Sequence, residues 1–367
     1  MPSPPCTIVL SAGEASGDAL AAELAAALIK RRPGLRLRGL AGPKMRAAGV
    51  EAIGRVEDLG VMGVTEVLGA LARVYAARSA LRAALAERPA MFVPVDAPDL
   101  HLPMIPDARR AGAKVVLYGV PQVWAWRGGR AKTLARDADE LLCLLPFEPA
   151  CFEPFGGRAT YVGHPALDRA GDLTPRGADW AIFPGSREGE LRRLLPVFLD
   201  VARGLRAAQP GAVVRLALAP TVSAEKMRQL AQEAGRSLED VVLVEGVLAA
   251  ALPARACLAA SGTVTLELVC LGRPVVVAYK VHWLTYWIGR LLVRGVEHMA
   301  LPNLILGRRA YPEHLQNLDV QAILTDLLRL GAPGQDASAQ DLRERLGPSG
   351  AADRAADRIL SHLEGAS

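Results

Sequence analysis

The chain has 367 residues, 51% of them hydrophobic and 22% charged, which argues against intrinsic disorder and predicts two domains of ordinary size. Its formal net charge of +5 is spread along the chain, so an anionic small molecule or membrane surface is favoured over nucleic acid. Five cysteines without a CxxC pair argue against a disulfide framework or a zinc ribbon and are typical of a reducing cytoplasm. The sequence predicts neither a signal peptide nor a transmembrane helix.

Short β-rich runs alternate with amphipathic helical runs, a pattern typical of a parallel sheet covered by helices. In the first half we predict strands at 6–10, 35–40, 91–95, 114–118 and 140–144, and a long helix at 68–85. After a linker at 171–177 the pattern restarts, with strands at 180–183, 213–218, 241–244, 257–258 and 274–278. The sequence therefore predicts an α/β fold of two doubly wound, Rossmann-like domains that face a cleft.

Two loops of the first half carry carboxylates at the ends of predicted strands. The segment SAGEASGD (11–18) follows the first strand, where its glycines would let a ligand approach the backbone and Glu14 would contact sugar hydroxyls. The alternative is a plain βα turn in which Asp18 caps its own helix. Asp96 and Asp99 follow a later strand, where one carboxylate could serve as the general base and the other could orient it. The alternative is a turn with one capping Asp.

The loop Gly185-Ser186-Arg187 follows the first predicted strand of the second half and precedes a helix. It offers backbone amides, a hydroxyl and a guanidinium, and the donor fork of an arginine matches the oxygens of a diphosphate. The alternative is a surface turn with a solvated arginine.

A second candidate anion site, Ser261-Gly262-Thr263, begins a helix that also carries Glu267. Thr263 and Glu267 are four residues apart and share a helical face, where a carboxylate can accept both hydroxyls of a ribose. The alternative is a capped helix with a buried polar residue.

Two segments mix apolar, aromatic and basic residues. Residues 281–294 and, more weakly, 61–85 have a composition typical of a membrane interface, with an inter-domain core helix as the alternative for the first. His164, within Gly-His-Pro, is interpreted as a structural or hinge residue.

Taken in their order along the chain, these motifs resemble those of the lipid-A-disaccharide synthase family, whose members are glycosyltransferases with the two-domain GT-B architecture. The resemblance extends from near the first residue to Arg308. The motifs that carry it are SAGEASGD (11–18), GVMGVTEVL (60–68), DAPD (96–99), PQVWAWR (121–127), LPFE (145–148), YVGHP (161–165), FPGSR (183–187), ASGTVTLE (260–267) and LPNLILGR (301–308).

The resemblance implies an inverting hexosyltransferase of lipid A biosynthesis. It would transfer 2,3-diacylglucosamine from UDP-2,3-diacylglucosamine to 2,3-diacylglucosamine 1-phosphate (lipid X), giving a β-1,6-linked disaccharide 1-phosphate and UDP. Neither a metal nor another cofactor is implied, and no nucleic acid. The family implies a peripheral protein at the cytoplasmic face of the inner membrane, with a homodimer left open.

The resemblance also implies roles for individual residues. Asp99 would be the general base, with Asp96 as its neighbour or substitute and Glu14 on the acceptor side of the cleft. The donor would be held by Gly185, Ser186, Arg187, Ser261, Gly262, Thr263, Glu267, Asn303 and Gln316, the last two from the resemblance alone. One departure is that Leu100 and His101 follow DAPD, where the family more often has an aromatic residue and Asn.

We expect residues 1–172 to form the acceptor-side, membrane-associated domain and residues 173–344 the UDP-sugar domain, with a last helix near 345–367 packing back on the first domain. The rival functions are a peptidoglycan-precursor N-acetylglucosamine transferase, a UDP-N-acetylglucosamine epimerase, and a non-catalytic lipid- or nucleotide-binding protein at the membrane. The order of the motifs argues against the first, and acceptor-dependent UDP release separates the other two.

Overall fold

A computed structural model of the chain describes residues 6–59, 67–124, 128–280, 298–334 and 338–364. The chain divides into two compact units, one of Met1–Pro165 with Ser349–Ser367 and one of Ala166–Pro348. Of the segments singled out for the membrane interface, residues 61–66 and the whole of 281–294 lie outside the described residues. Among the residues described, no helix combines the length and the apolar character needed to cross a membrane.

The first unit contains one seven-stranded parallel sheet with the order β3-β2-β1-β4-β5-β6-β7. Its strands are β1 (Thr7–Ala12), β2 (Arg36–Ala41), β3 (Glu51–Arg55), β4 (Met91–Val95), β5 (Lys114–Tyr118), β6 (Glu140–Cys143) and β7 (Ala159–Tyr161). The central strands β1 and β4 are buried on both faces, which is why they read as continuous apolar runs in the sequence.

Helices cover both faces of this sheet. They are α1 (Ala15–Arg31), α2 (Pro43–Ala47), α3 (Val67–Ala86), α4 (Pro98–His101), α5 (Ile105–Arg110) and α6 (Gly129–Asp137), with 3₁₀ turns at Val56–Leu59, Leu102–Met104, Pro149–Cys151 and Glu153–Phe155. On one face, Ile8 and Leu10 pack against the apolar side of α1, and on the other, Val9 and Phe92 pack against Leu81 of α3. The alternation of side chains along β1 thus builds two cores from one strand.

The second unit repeats the design with a six-stranded parallel sheet in the order β10-β9-β8-β11-β12-β13. Its strands are β8 (Asp179–Phe183), β9 (Val214–Leu218), β10 (Val242–Glu245), β11 (Ala254–Ala260), β12 (Val275–Tyr279) and β13 (Glu313–Leu315). Its helices are α7 (Pro165–Ala170), which begins at the junction of the units, α8 (Glu188–Ala208), α9 (Ala224–Glu233), α10 (Val247–Ala251), α11 (Val264–Cys270), α12 (Leu301–Leu306), α13 (Val320–Leu330) and α14 (Ser338–Leu346).

The α/β fold with two doubly wound parallel sheets is confirmed, and every strand predicted from the sequence is present within two or three residues of its expected bounds. The sequence analysis missed β3, β7 and β13. Each is an edge strand with few buried positions, so each lacks the apolar run that identified the others.

The last helix, α15 (Ala351–Glu364), packs against α1 within the first unit. Its anchor is Glu140 at the start of β6, whose fully buried carboxylate accepts hydrogen bonds from Thr160 (2.7 Å), Arg358 (2.9 Å) and His362 (2.6 Å). Burial alone would raise the pKa of Glu140, but these three hydrogen bonds outweigh it and hold the pKa below the ordinary value. A buried carboxylate therefore fixes the returning helix to the sheet.

A second contact of α15 explains the glycine of the Gly-His-Pro motif. Arg354 donates to the carbonyl of Val162 (2.8 Å) and to that of Ser349 (2.6 Å). Gly163 lies beneath it with φ of +92°, and a Cβ atom there would approach Arg354 Nη2 to 2.2 Å. The motif glycine thus leaves room for the arginine.

The linker before β8 is held by a buried cation. Arg273 is fully buried, and its guanidinium donates to the carbonyls of Thr174 (2.9 Å) and Pro175 (2.9 Å) and to the Thr174 hydroxyl (2.7 Å). The same group donates to Ala251 (2.9 Å) and Leu252 (2.9 Å) at the end of α10. Burial lowers the pKa of Arg273, but these oxygens solvate the charge and fix the linker to the second unit.

Gly163→Ala is expected to destabilise the first unit by about 3 kcal/mol, since it adds a left-handed backbone penalty and displaces Arg354 from its carbonyls. Gly156→Ala is the matched control, because φ there is +68° but a Cβ would meet no atom within 4 Å. It should cost about 1 kcal/mol. Urea unfolding of the two variants measures the difference, and equal losses would contradict the account of Arg354.

Candidate active site

The motif loops follow the strands at which the strand order reverses. In the first sheet β1 lies between β2 and β4, and the segment at Gly13 and Glu14 follows β1 while Asp96 follows β4. In the second sheet β8 lies between β9 and β11, and Arg187 and Ser261 follow β8 and β11. Ligands of doubly wound sheets bind at this reversal, beyond the carboxyl ends of the strands.

The segment 11–18 is more regular than the predicted loop. Strand β1 runs to Ala12 and α1 begins at Ala15, so only Gly13 and Glu14 connect them. Asp18 lies inside α1 and accepts hydrogen bonds from the amides of Lys44 and Met45 (both 3.0 Å) at the start of α2. The alternative in which Asp18 caps its own helix is therefore wrong, because it caps the neighbouring helix instead.

Gly13 is required by the close approach of the two loops of the first unit. A Cβ atom on Gly13 would lie 2.4 Å from the Cβ of Ala97, nearer than real Cβ atoms approach. The loop after β1 and the turn after β4 therefore touch through a side-chain-free position. Because β1 and β4 are parallel neighbours, Glu14 and Asp96 lie at the same end of the sheet.

The turn after β4 has an unusual backbone. Asp96 and Ala97 both adopt left-handed conformations, with φ of +51° and +47°. Such conformations cost about 1–3 kcal/mol each for residues other than glycine and recur at functional sites. The His101 ring spans this turn, with Nδ1 lying 2.9 Å from the Asp96 carbonyl and Nε2 lying 3.0 Å from Ser11 Oγ.

The protonation of His101 follows from its partners. A carbonyl only accepts, so Nδ1 carries the hydrogen, and the Ser11 hydroxyl donates to Nε2 of the neutral ring. Burial lowers the pKa of His101 to about 4, against the smaller opposing effect of the Asp96 carbonyl. The ring is therefore neutral at physiological pH.

Asp99 lies in the first turn of the short helix α4. Its side chain is 73% exposed and its Oδ1 pairs with Arg130 Nη2 at 2.8 Å. Its carbonyl accepts a 2.6 Å hydrogen bond from Arg78 of α3. Two arginines from different helices thus fix this residue at its backbone and at its carboxylate while leaving it open to solvent.

The LPFE motif forms a turn around a buried acid. Glu148 Oε2 accepts hydrogen bonds from the amides of Leu144 and Leu145 (both 3.0 Å) just beyond β6. Burial raises the pKa of Glu148 to about 7, and these two amides oppose that change only in part. Phe147 packs edge-on against Trp124 with ring centroids 5.3 Å apart, which joins this motif to the PQVWAWR motif, whose residues 125–127 lie outside the described ones.

The Gly-Ser-Arg loop of the second unit is organised by Glu190, in the first turn of α8. Its carboxylate accepts a hydrogen bond from the Ser186 amide (3.3 Å) and lies against Gly185, where a Cβ would approach Oε2 to 2.0 Å. Gly185 has a φ of +106°. Burial raises the pKa of Glu190, while the Ser186 amide and the Arg187 charge oppose this. In the structure a carboxylate of the chain itself therefore occupies part of the predicted anion site.

The second candidate anion site lies beside a cavity in the same unit. Glu267 on α11 pairs with Arg169 of α7 at 2.8 Å and is 14% exposed. The pair lines a cavity of about 310 Å³ whose other walls are Ala170, Val247, Leu248 and Leu271. An acid, an arginine and apolar groups thus face one space beside α11.

The two residues inferred from the resemblance alone differ in their surroundings. Asn303 is fully buried, and its amide donates to the Tyr311 carbonyl (2.8 Å) and to Glu313 (2.6 Å) while its oxygen accepts from Ala310 and Tyr311 (both 2.9 Å). Its hydrogen-bonding capacity is therefore used within the protein. Gln316 follows β13 with φ of +65°, and its backbone N–H donates to the Tyr279 carbonyl (2.9 Å).

Asn303 is connected to the Ser261 loop through other residues. Glu313, which receives the Asn303 amide, accepts the Met299 amide with its other oxygen (2.8 Å). The Ser261 hydroxyl donates to the Met299 carbonyl (3.4 Å). Asn303 thus supports the loop after β11 from behind, rather than offering a group to a ligand.

Sequence reasoning missed Arg130, Arg169, Glu190 and Glu313. Only Glu190 had a local signal, since an acid three residues after a helix start typically bonds back to the first amides. The others come from distant parts of the chain. Among the described residues, no group of three or more His, Cys, Asp or Glu is placed to hold a metal ion.

Two solved structures show which class of protein has this fold. The calicheamicin glycosyltransferase CalG4 matches with a TM-score of 0.62 at 16% identity over 98% of each chain. UDP-GlcNAc 2-epimerase from Neisseria meningitidis, bound to UDP-GlcNAc, matches with a TM-score of 0.62 at 10% identity over 98% of this chain and 100% of that one. The fold is therefore the GT-B fold of nucleotide-sugar enzymes, which glycosyltransferases and epimerases share.

The sequence comparisons decide between these enzymes. Residues 8–346 match the family model of lipid-A-disaccharide synthetase. The chain is 39% identical to the lipid-A-disaccharide synthase of Myxococcus xanthus over 99% of both chains. It is 40% identical to that of Pseudomonas savastanoi pv. phaseolicola over 98% of both. The chain belongs to the lipid-A-disaccharide synthase family, and it is a glycosyltransferase that uses a sugar-nucleotide donor and an acceptor.

Glu148→Gln is expected to change how stability depends on pH. The folded-state pKa of Glu148 lies above the ordinary value, so the folded protein holds the proton more tightly than the unfolded chain. The free energy of unfolding is therefore highest below pH 4.5, where the carboxyl is neutral in both states, and it falls as the pH rises towards 7. The variant should lose this fall, which is on the order of 3 kcal/mol. Neutral His101 contributes an opposite slope below its ordinary pKa, but both proteins share it.

Urea unfolding of both proteins between pH 4 and pH 8 tests this expectation. Glu153→Gln, which removes an exposed acid from the same segment, is the control and should keep the native slope. A native-like slope in Glu148→Gln would show that this carboxyl is not the group responsible.

Proposed function

We propose that the protein transfers 2,3-diacylglucosamine from UDP-2,3-diacylglucosamine to 2,3-diacylglucosamine 1-phosphate, forming the β-1,6-linked disaccharide 1-phosphate and UDP. The observation that carries this proposal is the position of the family motifs, which follow the strands at the order reversal of each sheet. Membership of the family supports the same reaction.

On the acceptor side, Asp99 acts as the general base. As the acceptor 6-hydroxyl oxygen bonds to C1 of the donor sugar, its proton passes to the Asp99 carboxylate. The exposure of Asp99 and its fixed contacts with Arg130 and Arg78 support this role. Asp96 lies in the adjacent turn as the orienting or substitute acid, and Glu14 contacts acceptor hydroxyls.

On the donor side, the bond between C1 and the diphosphate oxygen breaks and the electron pair leaves with UDP. Arg187, Ser186 and the amide at Gly185 stabilise the charge that develops there, together with Ser261, Gly262 and Thr263. Glu267 accepts the ribose hydroxyls, and the cavity beside it has room for the uracil ring. Gln316 lies near the donor, and Asn303 supports the Ser261 loop through Glu313 and Met299.

Both substrates carry acyl chains, so we propose that the protein works as a peripheral protein at the cytoplasmic face of the inner membrane. Leu71 and Tyr75 of α3 support this, since they are 63% and 70% exposed on the unit that carries Asp99. Exposed apolar and aromatic side chains one turn apart on a helix are typical of a membrane-facing surface.

The decisive experiment is a UDP-release assay with both lipid substrates in detergent, followed by mass spectrometry of the lipid. The proposal expects UDP and a tetraacyl disaccharide 1-phosphate only when donor and acceptor are both present. UDP without disaccharide would indicate hydrolysis or another acceptor. An epimerised UDP-sugar, or binding without turnover, would contradict the proposal in favour of an epimerase or a binding protein.

Asp99→Asn is expected to lower kcat by about 100-fold or more, because the amide cannot accept the proton of the acceptor hydroxyl. The KM for the donor should change little. Asp96→Asn is the parallel variant and should have the smaller effect. Steady-state UDP release as a function of pH measures both, and near-normal turnover of Asp99→Asn would refute its assignment.

Arg187→Ala is expected to weaken UDP binding and lower kcat/KM by about 10- to 100-fold, the range for one charge-assisted hydrogen bond to phosphate. Arg192→Ala is the matched control, since Arg192 lies in the helix that follows Arg187 and forms surface pairs with Glu188 and Glu233. Calorimetric titration with UDP and the release assay measure the two effects. Unchanged UDP affinity in Arg187→Ala would remove this residue from the donor site.

A further inference from the structure

The reaction proposed above assigns no role to His101, although its ring lies at the contact between the two loops of the first unit. The ring is 1% exposed and uses both nitrogens, one towards the Asp96 carbonyl at 2.9 Å and one towards Ser11 Oγ at 3.0 Å. It packs edge-on against Phe92 of β4, with centroids 6.3 Å apart. A single buried side chain thus contacts β1 near its carboxyl end, β4 at Phe92 and the turn that follows β4.

That turn has to be held in place. Asp96 and Ala97 are consecutive left-handed residues other than glycine, so the turn persists only where its surroundings determine it. The hydrogen bond from His101 Nδ1–H to the Asp96 carbonyl joins the two ends of the turn. The opposite side is limited by Gly13, which leaves no room between the loops.

The position of His101 also bears on Asp99. Helix α4 contains only Pro98–His101, so His101 is its last residue and Asp99 lies two positions before it. Arg78 holds the Asp99 carbonyl, and the His101 ring holds the other end of the same short helix. The orientation of the Asp99 carboxylate therefore depends on the position of the His101 ring.

We propose that His101 is a positioning residue of the transfer reaction: its Nδ1–H bond to the Asp96 carbonyl holds the left-handed turn that orients Asp96 and Asp99, and its Nε2 ties that turn to Ser11. This inference rests on the proposed function, since it takes Asp99 as the general base. It predicts that the Nδ1 bond, rather than the bulk of the ring, sets the rate.

Two substitutions separate the nitrogens of the ring. An asparagine amide reaches the place of Nδ1 and can donate to the Asp96 carbonyl, whereas a glutamine amide reaches the place of Nε2 and meets Ser11 instead. His101→Asn should therefore keep most of kcat, within about threefold of the native protein. His101→Gln should lose about 10- to 100-fold in kcat with both KM values within about threefold, since a shift of about 1 Å in a reacting group costs this much.

Phe92→Leu is the matched control for packing, because it loosens the contact with the ring and leaves both ring hydrogen bonds in place. It should lower the unfolding midpoint and keep kcat near the native value. A loss of kcat in Phe92→Leu equal to that in His101→Gln, or equal kcat values for His101→Asn and His101→Gln, would overturn the proposal.

Asp99→Asn assayed in parallel distinguishes this inference from the function on which it rests. If Asp99→Asn loses turnover while His101→Gln does not, the inference fails alone; if Asp99→Asn keeps its turnover, the base assignment fails. Ring-nitrogen NMR of His101 gives a readout that needs no turnover. It should show the neutral tautomer with hydrogen on Nδ1, and the opposite tautomer would refute the proposed bond.

Discussion

The reversal of strand order at β1 and at β8 is the constraint on which the remaining architecture depends. The strands that follow the first strand are added on both of its sides, so the connecting helices leave towards opposite edges of the sheet and do not cover the strand ends at the reversal. Four short sequence motifs occupy those positions. Their chemistry depends on those uncovered strand ends, because only there can carboxylates and backbone amides reach a ligand.

The same constraint explains which parts of the fold could be predicted. Strands such as β1, β4 and β11 are buried on both faces and therefore read as unbroken apolar runs. The edge strands β3 and β13 bury few side chains and pair with one neighbour, so their sequences resemble loops. Hydrophobic pattern reports burial, and it identifies a strand only where the strand is buried.

The candidate site shows a similar division. Its loops could be predicted, because an apolar run indicates a buried strand, and glycines and carboxylates directly after it indicate a loop at the strand end where a ligand can approach. The partners of those loops could not, since Arg130 reaches Asp99 and Arg169 reaches Glu267 from segments far apart in the sequence. Asn303, which the resemblance assigns to the donor side, makes its hydrogen bonds within the chain itself, and the motif gave no sign of these partners.

The return of the last helix to the first sheet has a consequence for how the protein is made. The partners of buried Glu140 on that helix, Arg358 and His362, lie 218 and 222 positions further along the chain. During synthesis Glu140 lacks these two partners until all of the second unit has emerged from the ribosome. The second unit is continuous in sequence, whereas the first can bury its acid only after the final turn of α15 has been released. The unit translated first is therefore the one completed last.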